Sequence, residues 1–176
     1  MNHIYNHLVA NRFHYEIKLN TPNDRKILEN LKNSKEESYI GKGVNVIYIY
    51  SLVDSYINYP NSAGKVLYIG EACKVSNPTG LRFSQHIAAV ENGSRGRNIN
   101  YTLHKYYWNG IKIALDIFVL NPTTTEQRKY LERYLINSHI KIYGSLPIAQ
   151  GTSGILVDDI DKHDELESKI FFNYTL

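Results

Sequence analysis

The chain has 176 residues, with 20 Lys and Arg against 17 Asp and Glu, a formal net charge of +3 that leaves 7 His uncounted. Hydrophobic residues at 43% and charged residues at 21% exclude wholesale disorder, a collagen-like repeat and a low-complexity chain, and the length suits a single domain over 1–176 with a core of its own. The single Cys73 excludes an internal disulfide and a cysteine-built zinc cage. No apolar run is long enough for a membrane helix, and the opening MNHIYNHLVANRFHYEIKLN lacks the uninterrupted apolar stretch of a signal peptide, so a cytoplasmic location with no membrane partner is expected.

Residues 1–43 read as an N-terminal extension, with a strand-like patch HYEIKLN and a helix from Asp24 to Leu31 that begins after Pro22. The runs VNVIYIY, residues 44–50, and KVLYIG, residues 65–70, are rich in β-branched and aromatic residues. With the turn-rich stretch from Asn58 to Gly64 between them, they predict an antiparallel hairpin with a long loop. GLRFSQHIAAVENG spaces Phe83, Ile87 and Val90 as one helical stripe that stops at Asn92-Gly93, and Arg82 and His86, four apart, share a face of that helix. Strict alternation from Ile111 to Leu120 predicts a third strand ending at Asn121-Pro122. Thr123 and Glu126 have capping-box spacing, and EQRKYLERYLINSHIKIY then runs as a long helix to Gly144, with Glu132 in its middle. An acidic C-terminal extension, 152–176, closes the chain.

Charge is unevenly spread along these elements. Residues 65–112 hold Lys65, Lys74, Arg82, Arg95, Arg97, Lys105 and Lys112 against Glu71 and Glu91, seven against two or +5, whereas 155–176 carry two basic and six acidic residues, or −4. The basic stretch also contains Tyr68, Phe83, Tyr101, Tyr106, Tyr107 and Trp108. Cations that neutralise phosphates, interleaved with rings that stack on bases, are the footprint of a nucleic-acid track, with Lys74, Arg95, Arg97 and Lys105 as its candidate contacts. The bland alternative is a mildly basic surface over buried aromatics.

Several polar residues exceed what a plain core requires: Tyr48 and Tyr68 on adjacent strands, Arg82 and His86 on one helix face, and Glu132 beside Leu131 and Leu135. Singly, a strand Tyr is a packing residue, and a helix Arg, His or Glu is a solvated one. In order, however, Val46-Ile47-Tyr48, Tyr68-Ile69-Gly70, Gly80-Leu81-Arg82-Phe83-Ser84-Gln85-His86 and Leu131-Glu132-Arg133-Tyr134-Leu135-Ile136 resemble the motifs of the GIY-YIG nuclease superfamily, over about residues 44–150. The resemblance implies an α/β (α+β) sandwich, a three-stranded antiparallel sheet between helices, and phosphodiester hydrolysis with one divalent metal, Mg²⁺ or Mn²⁺, per active site. It implies Glu132 as the metal ligand, Arg82 on the scissile phosphate, Tyr48 as general base with His86 accepting or relaying its proton, Tyr68 positioning water or phosphate, and Gly70 allowing close backbone approach. Val46 stands where the family's first motif has Gly, and the 20-residue step from Tyr48 to Tyr68 suggests a loop insertion of the kind seen in the restriction endonuclease branch. The family's Asn after the Glu helix has no match here, and Gln150 is the candidate replacement.

The function these readings predict is a DNA endonuclease of the restriction or defence type, acting on double-stranded DNA as a homodimer. A homing, mobile-element or repair nuclease is the alternative within the enzyme class, and a catalytically inactive nucleic-acid-binding module is the alternative outside it.

Overall fold

A computed structural model describes residues 8–19, 25–91 and 99–151. In chain order these form β1 Val9–Ile17, α1 Lys26–Asn30, β2 Val46–Leu52, β3 Ile57–Asn58, β4 Ala63–Gly64, β5 Val66–Ala72, α2 Leu81–His86, α3 Tyr101–Trp108, β6 Ile113–Leu120 and α4 Thr125–Tyr143. The fold is mixed α and β, as expected, but its main sheet has four strands in the order β1-β6-β2-β5, all antiparallel, where three were predicted. The extra strand is β1. The alternation across Val9–Ile17 gives it a half-buried character, and it pairs along β6 from Val9↔Leu120 to Ile17↔Ile113, so the N-terminal extension is built into the sheet.

The sheet is covered on both faces, which explains why every residue of β2 is buried. Period-two alternation sends Val46, Tyr48, Tyr50 and Leu52 to one face, where they meet Leu28, Leu31, Phe83, Ile87, Leu103 and Tyr107 of the α1, α2 and α3 layer. Ile47 and Ile49 point the other way, onto Leu131, Tyr134 and Leu135 of α4. Pairing of β2 with β5 shifts between Tyr50↔Tyr68 and Ser51↔Val66, leaving Leu67 as an extra residue. Among the described residues no helix is long and apolar enough to cross a membrane.

Four local expectations are corrected. The helix predicted over 80–93 ends at His86, and Val90 of its supposed stripe is exposed. The reason is tertiary: the Arg25 guanidinium donates to Ser84 O at 2.5 Å and Ile87 O at 2.7 Å, and Asn100 N–H donates to His86 O at 3.0 Å, so the last carbonyls are satisfied without another turn. The stretch after it forms α3, whose N-cap Asn100 accepts from Leu103 N–H at 3.1 Å and whose end is marked by Gly110 at φ +75°. The 51–64 loop contains the small β3-β4 hairpin. The capping box lies one residue later than predicted: Thr124 accepts from Gln127 N–H at 3.2 Å and Gln127 Oε1 accepts from Thr124 N–H at 2.9 Å.

Candidate active site

Four of the five predicted site residues converge on the α1–α3 face of the sheet. Tyr48 in the centre of β2 and Tyr68 on β5 stack with ring centroids 6.0 Å apart, and α2 lays His86 against both rings, at 5.5 and 5.6 Å. Arg82, one turn earlier on α2, directs Nε to the Tyr48 hydroxyl at 3.4 Å and also hydrogen-bonds Tyr68. Phe83 packs edge-on against Tyr48 at 5.1 Å. The Tyr-Ile-Gly sequence of β5 follows from this packing, because Tyr48 and Gly70 are register partners and a Cβ on Gly70 would lie 2.5 Å from the Tyr48 ring carbon and hydroxyl. Only glycine leaves room for the phenol to cross the neighbouring strand.

Glu132 arrives from the opposite layer. β5 is an edge strand, and its outward backbone groups are taken in succession: Leu67 O accepts from Ala149 N–H at 2.9 Å, Ile69 N–H donates to Gln150 Oε1 at 3.2 Å, and Glu71 N–H donates to the Glu132 carboxylate. Glu132 and Gln150 therefore share one strand edge, and Glu132 reaches the residue next to Gly70. Tyr59 pins the Gln150 segment by donating to Val66 O at 2.6 Å and accepting from Ile148 N–H at 3.1 Å.

Electrostatics divide the groups. Burial and the neighbouring Tyr68 push the Tyr48 phenol well above its ordinary value, against the pull of Arg82. Burial opposes the Arg82 charge, but the oxygens of Tyr48 and Tyr68 outweigh it and hold the guanidinium above its usual range. Burial and the Arg82 charge lower His86 to about 3, so its imidazole is neutral at pH 7. Glu132 is pushed up to about 7, first by burial and then by the negative charge of Glu71, with the Glu71 amide, Arg133 and Arg82 acting in the other direction.

Glu71 is the residue that sequence reasoning missed. It follows Tyr68-Ile69-Gly70 directly, and strand alternation turns its side chain to the α4 layer, where Arg128, one turn before Glu132, takes its carboxylate and also Asn45. An Arg at i−4 from the mid-helix Glu was the available signal. The donor set suits a hard divalent cation held by one carboxylate, Glu132, with water and phosphate oxygens completing its shell: the Glu71 charge is neutralised by Arg128, and the raised Glu132 carboxylate is the one short of positive charge. Among the described residues no group of three or more His, Cys, Asp or Glu is arranged to ligate a metal.

Of the predicted track, Lys74 follows β5 and donates its N–H to Thr79 Oγ1 at 3.1 Å near the start of α2. Lys105 is exposed on α3, where it lines a groove of about 450 Å³ with Tyr101, Tyr106 and Asn109. Arg95, Arg97 and the acidic extension lie outside the described residues. A separate cleft of about 660 Å³, lined by Leu120, Glu126, Lys129, Tyr130 and Arg133 among others, contains none of the five site residues. Comparison with known protein families, with curated proteins and with solved structures finds no match.

Proposed function

We propose that the protein is a metal-dependent DNA endonuclease that hydrolyses phosphodiester bonds, with a sequence-specific restriction or defence role and a homodimer for two-strand cleavage. The observation that carries this reading is the meeting of Tyr48, Tyr68, Arg82 and His86 over Gly70, with Glu132 one residue away on the same strand edge.

Arg82 forks onto the scissile phosphate and stabilises the negative charge that grows on its oxygens. Glu132 would hold Mg²⁺ or Mn²⁺, which supplies Lewis-acid stabilisation of the phosphate when bound. The differing burial of the tyrosines redistributes their roles. Tyr48 is fully enclosed with its phenol proton held tightly, whereas Tyr68 is half-buried and shares the same guanidinium. Tyr68 is therefore the better-placed phenol to meet the attacking water: water oxygen bonds to phosphorus, its proton passes towards the Tyr68 oxygen, and the bond to the leaving sugar oxygen breaks. Tyr48 braces Arg82. Lys74, Lys105 and the α3 groove with Tyr101 and Tyr106 suit a DNA strand leading away from the site.

The full burial of Tyr48 also favours the second reading, a binding module without catalysis. Incubation with long duplex DNA and Mg²⁺ separates the two. The expected outcome is discrete fragments from the wild type, none from Glu132→Ala or Arg82→Ala, and a larger loss from Tyr68→Phe than from Tyr48→Phe. Tight DNA binding with no cutting by any form would overturn the enzyme.

A further inference from the structure

We infer that Tyr50 is a positioning residue that holds His86 in the tautomer with its hydrogen on Nε2, so that His86 serves the site as a hydrogen-bond donor and takes no proton. The statement about the ring stands on the structure, and its consequence for cleavage rests on the nuclease reading above.

Tyr50 lies two residues after Tyr48 on β2, so it faces the same layer, and it is completely buried. Its hydroxyl meets His86 Nδ1 at 3.4 Å, with the two rings 5.6 Å apart. Among the described residues this is the hydroxyl's hydrogen-bond partner, and a buried O–H that donated to nothing would cost about 1–3 kcal/mol. A neutral imidazole has one N–H and one bare nitrogen. The charges and phenols around it, Arg82, Tyr48, Tyr50 and Tyr68, include no carboxylate that would favour a second proton. Were Nδ1 to carry the hydrogen, the Tyr50 proton would have no acceptor there. With Nδ1 bare, Tyr50 donates to it and both groups are satisfied. Nε2 then carries the hydrogen and presents a donor to negative charge developing among the tyrosine oxygens and the phosphate. The proton-relay role that the family resemblance implies for His86 is thereby replaced by charge stabilisation, parallel to that of Arg82.

The test is the long-range ¹H–¹⁵N spectrum of the histidine rings of the full chain at pH 7, with His86 assigned by its loss in His86→Gln. The wild type is expected to show Nδ1 as the bare nitrogen and Nε2 as the N–H. Tyr50→Phe removes one oxygen without changing ring shape. It is expected to convert His86 to a mixed or Nδ1–H form while the other histidine signals stay in place. A wild-type ring with hydrogen on Nδ1, or a Tyr50→Phe spectrum with the tautomer unchanged, would overturn the inference. The wild-type spectrum decides alone should Tyr50→Phe not fold. The Nε2–H form in a protein that cuts no DNA would sink the nuclease reading and leave this one standing.

Discussion

Gly70 and Glu132 carry the clearest single-residue consequences. A methyl at Gly70 meets the Tyr48 phenol at 2.5 Å and Tyr68 at 2.7 Å, and neither ring has space to retreat in a packed layer. Gly70→Ala should cost about 1–3 kcal/mol in urea unfolding, typical of overpacking, and should lower cleavage further by displacing Tyr48 from Arg82. Glu132 titrates near 7 in the folded protein against 4.5 for an ordinary carboxyl. The folded state therefore binds the extra proton, and this stabilisation is complete below about pH 4.5 and lost as pH rises through 7. Glu132→Gln should raise the melting temperature relative to wild type at pH 8 in the absence of metal, and the two curves should converge near pH 4. A difference that is the same at both pH values would mean that Glu132 is not strained by its surroundings.

Among the elements, β1 and α4 show how local order and long-range contacts combine. β1 is anchored through Asp116 of β6, a fully buried carboxylate whose Oδ1 accepts from Arg12 Nη2 at 2.5 Å and Nε at 3.1 Å and meets His14 Nδ1 at 2.9 Å. Removing a partner from a buried charge is costly, so Arg12→Ala should destabilise towards the low end of about 3–5 kcal/mol, since His14 remains. Chemical denaturation measures it, and a loss below about 0.5 kcal/mol would show that Asp116 is neutral in the fold. For α4, Thr124→Ala breaks the capping box and should cost about 1 kcal/mol, whereas the equivalent change at Thr123 leaves the box intact.

At the scale of the molecule, two buried neutral histidines set the acid limit. His86 at about 3 and His139 at about 4, both lowered mainly by burial, gain protons more readily when unfolded, at 6.5. Their contribution is present above about pH 6.5 and disappears as pH falls towards 4. Glu132 runs in the opposite sense over much of that range, one carboxyl against two imidazoles, so thermal stability should decline from pH 7 to 4. His139→Gln should flatten the decline. Binding should follow the basic stretch: Lys105→Gln should reduce the slope of log affinity against log salt by about 0.9 if it touches one phosphate, and unchanged slopes on altering Lys105, Arg95 and Arg97 would remove this stretch from the DNA path.

The sequence by itself determined the parts that depend on local periodicity and on chemistry-bearing residues at set spacing. The strands around Tyr48, Tyr68 and Ile117 and the long helix around Glu132 were legible because alternation and helical repeats record which side of each element is buried. Only the tertiary structure decided which elements touch. It made β1 part of the sheet through pairing with β6, ended α2 at His86 because Arg25 and Asn100 cap its carbonyls from far along the chain, and brought Glu132 to the edge of β5 through the Glu71 amide. It also separated a half-buried Tyr68 from a sealed Tyr48, two tyrosines that look alike in sequence. Period and propensity act within a few residues. Burial, charge coupling and edge coverage depend on residues that approach only after folding, and those quantities assign the chemistry.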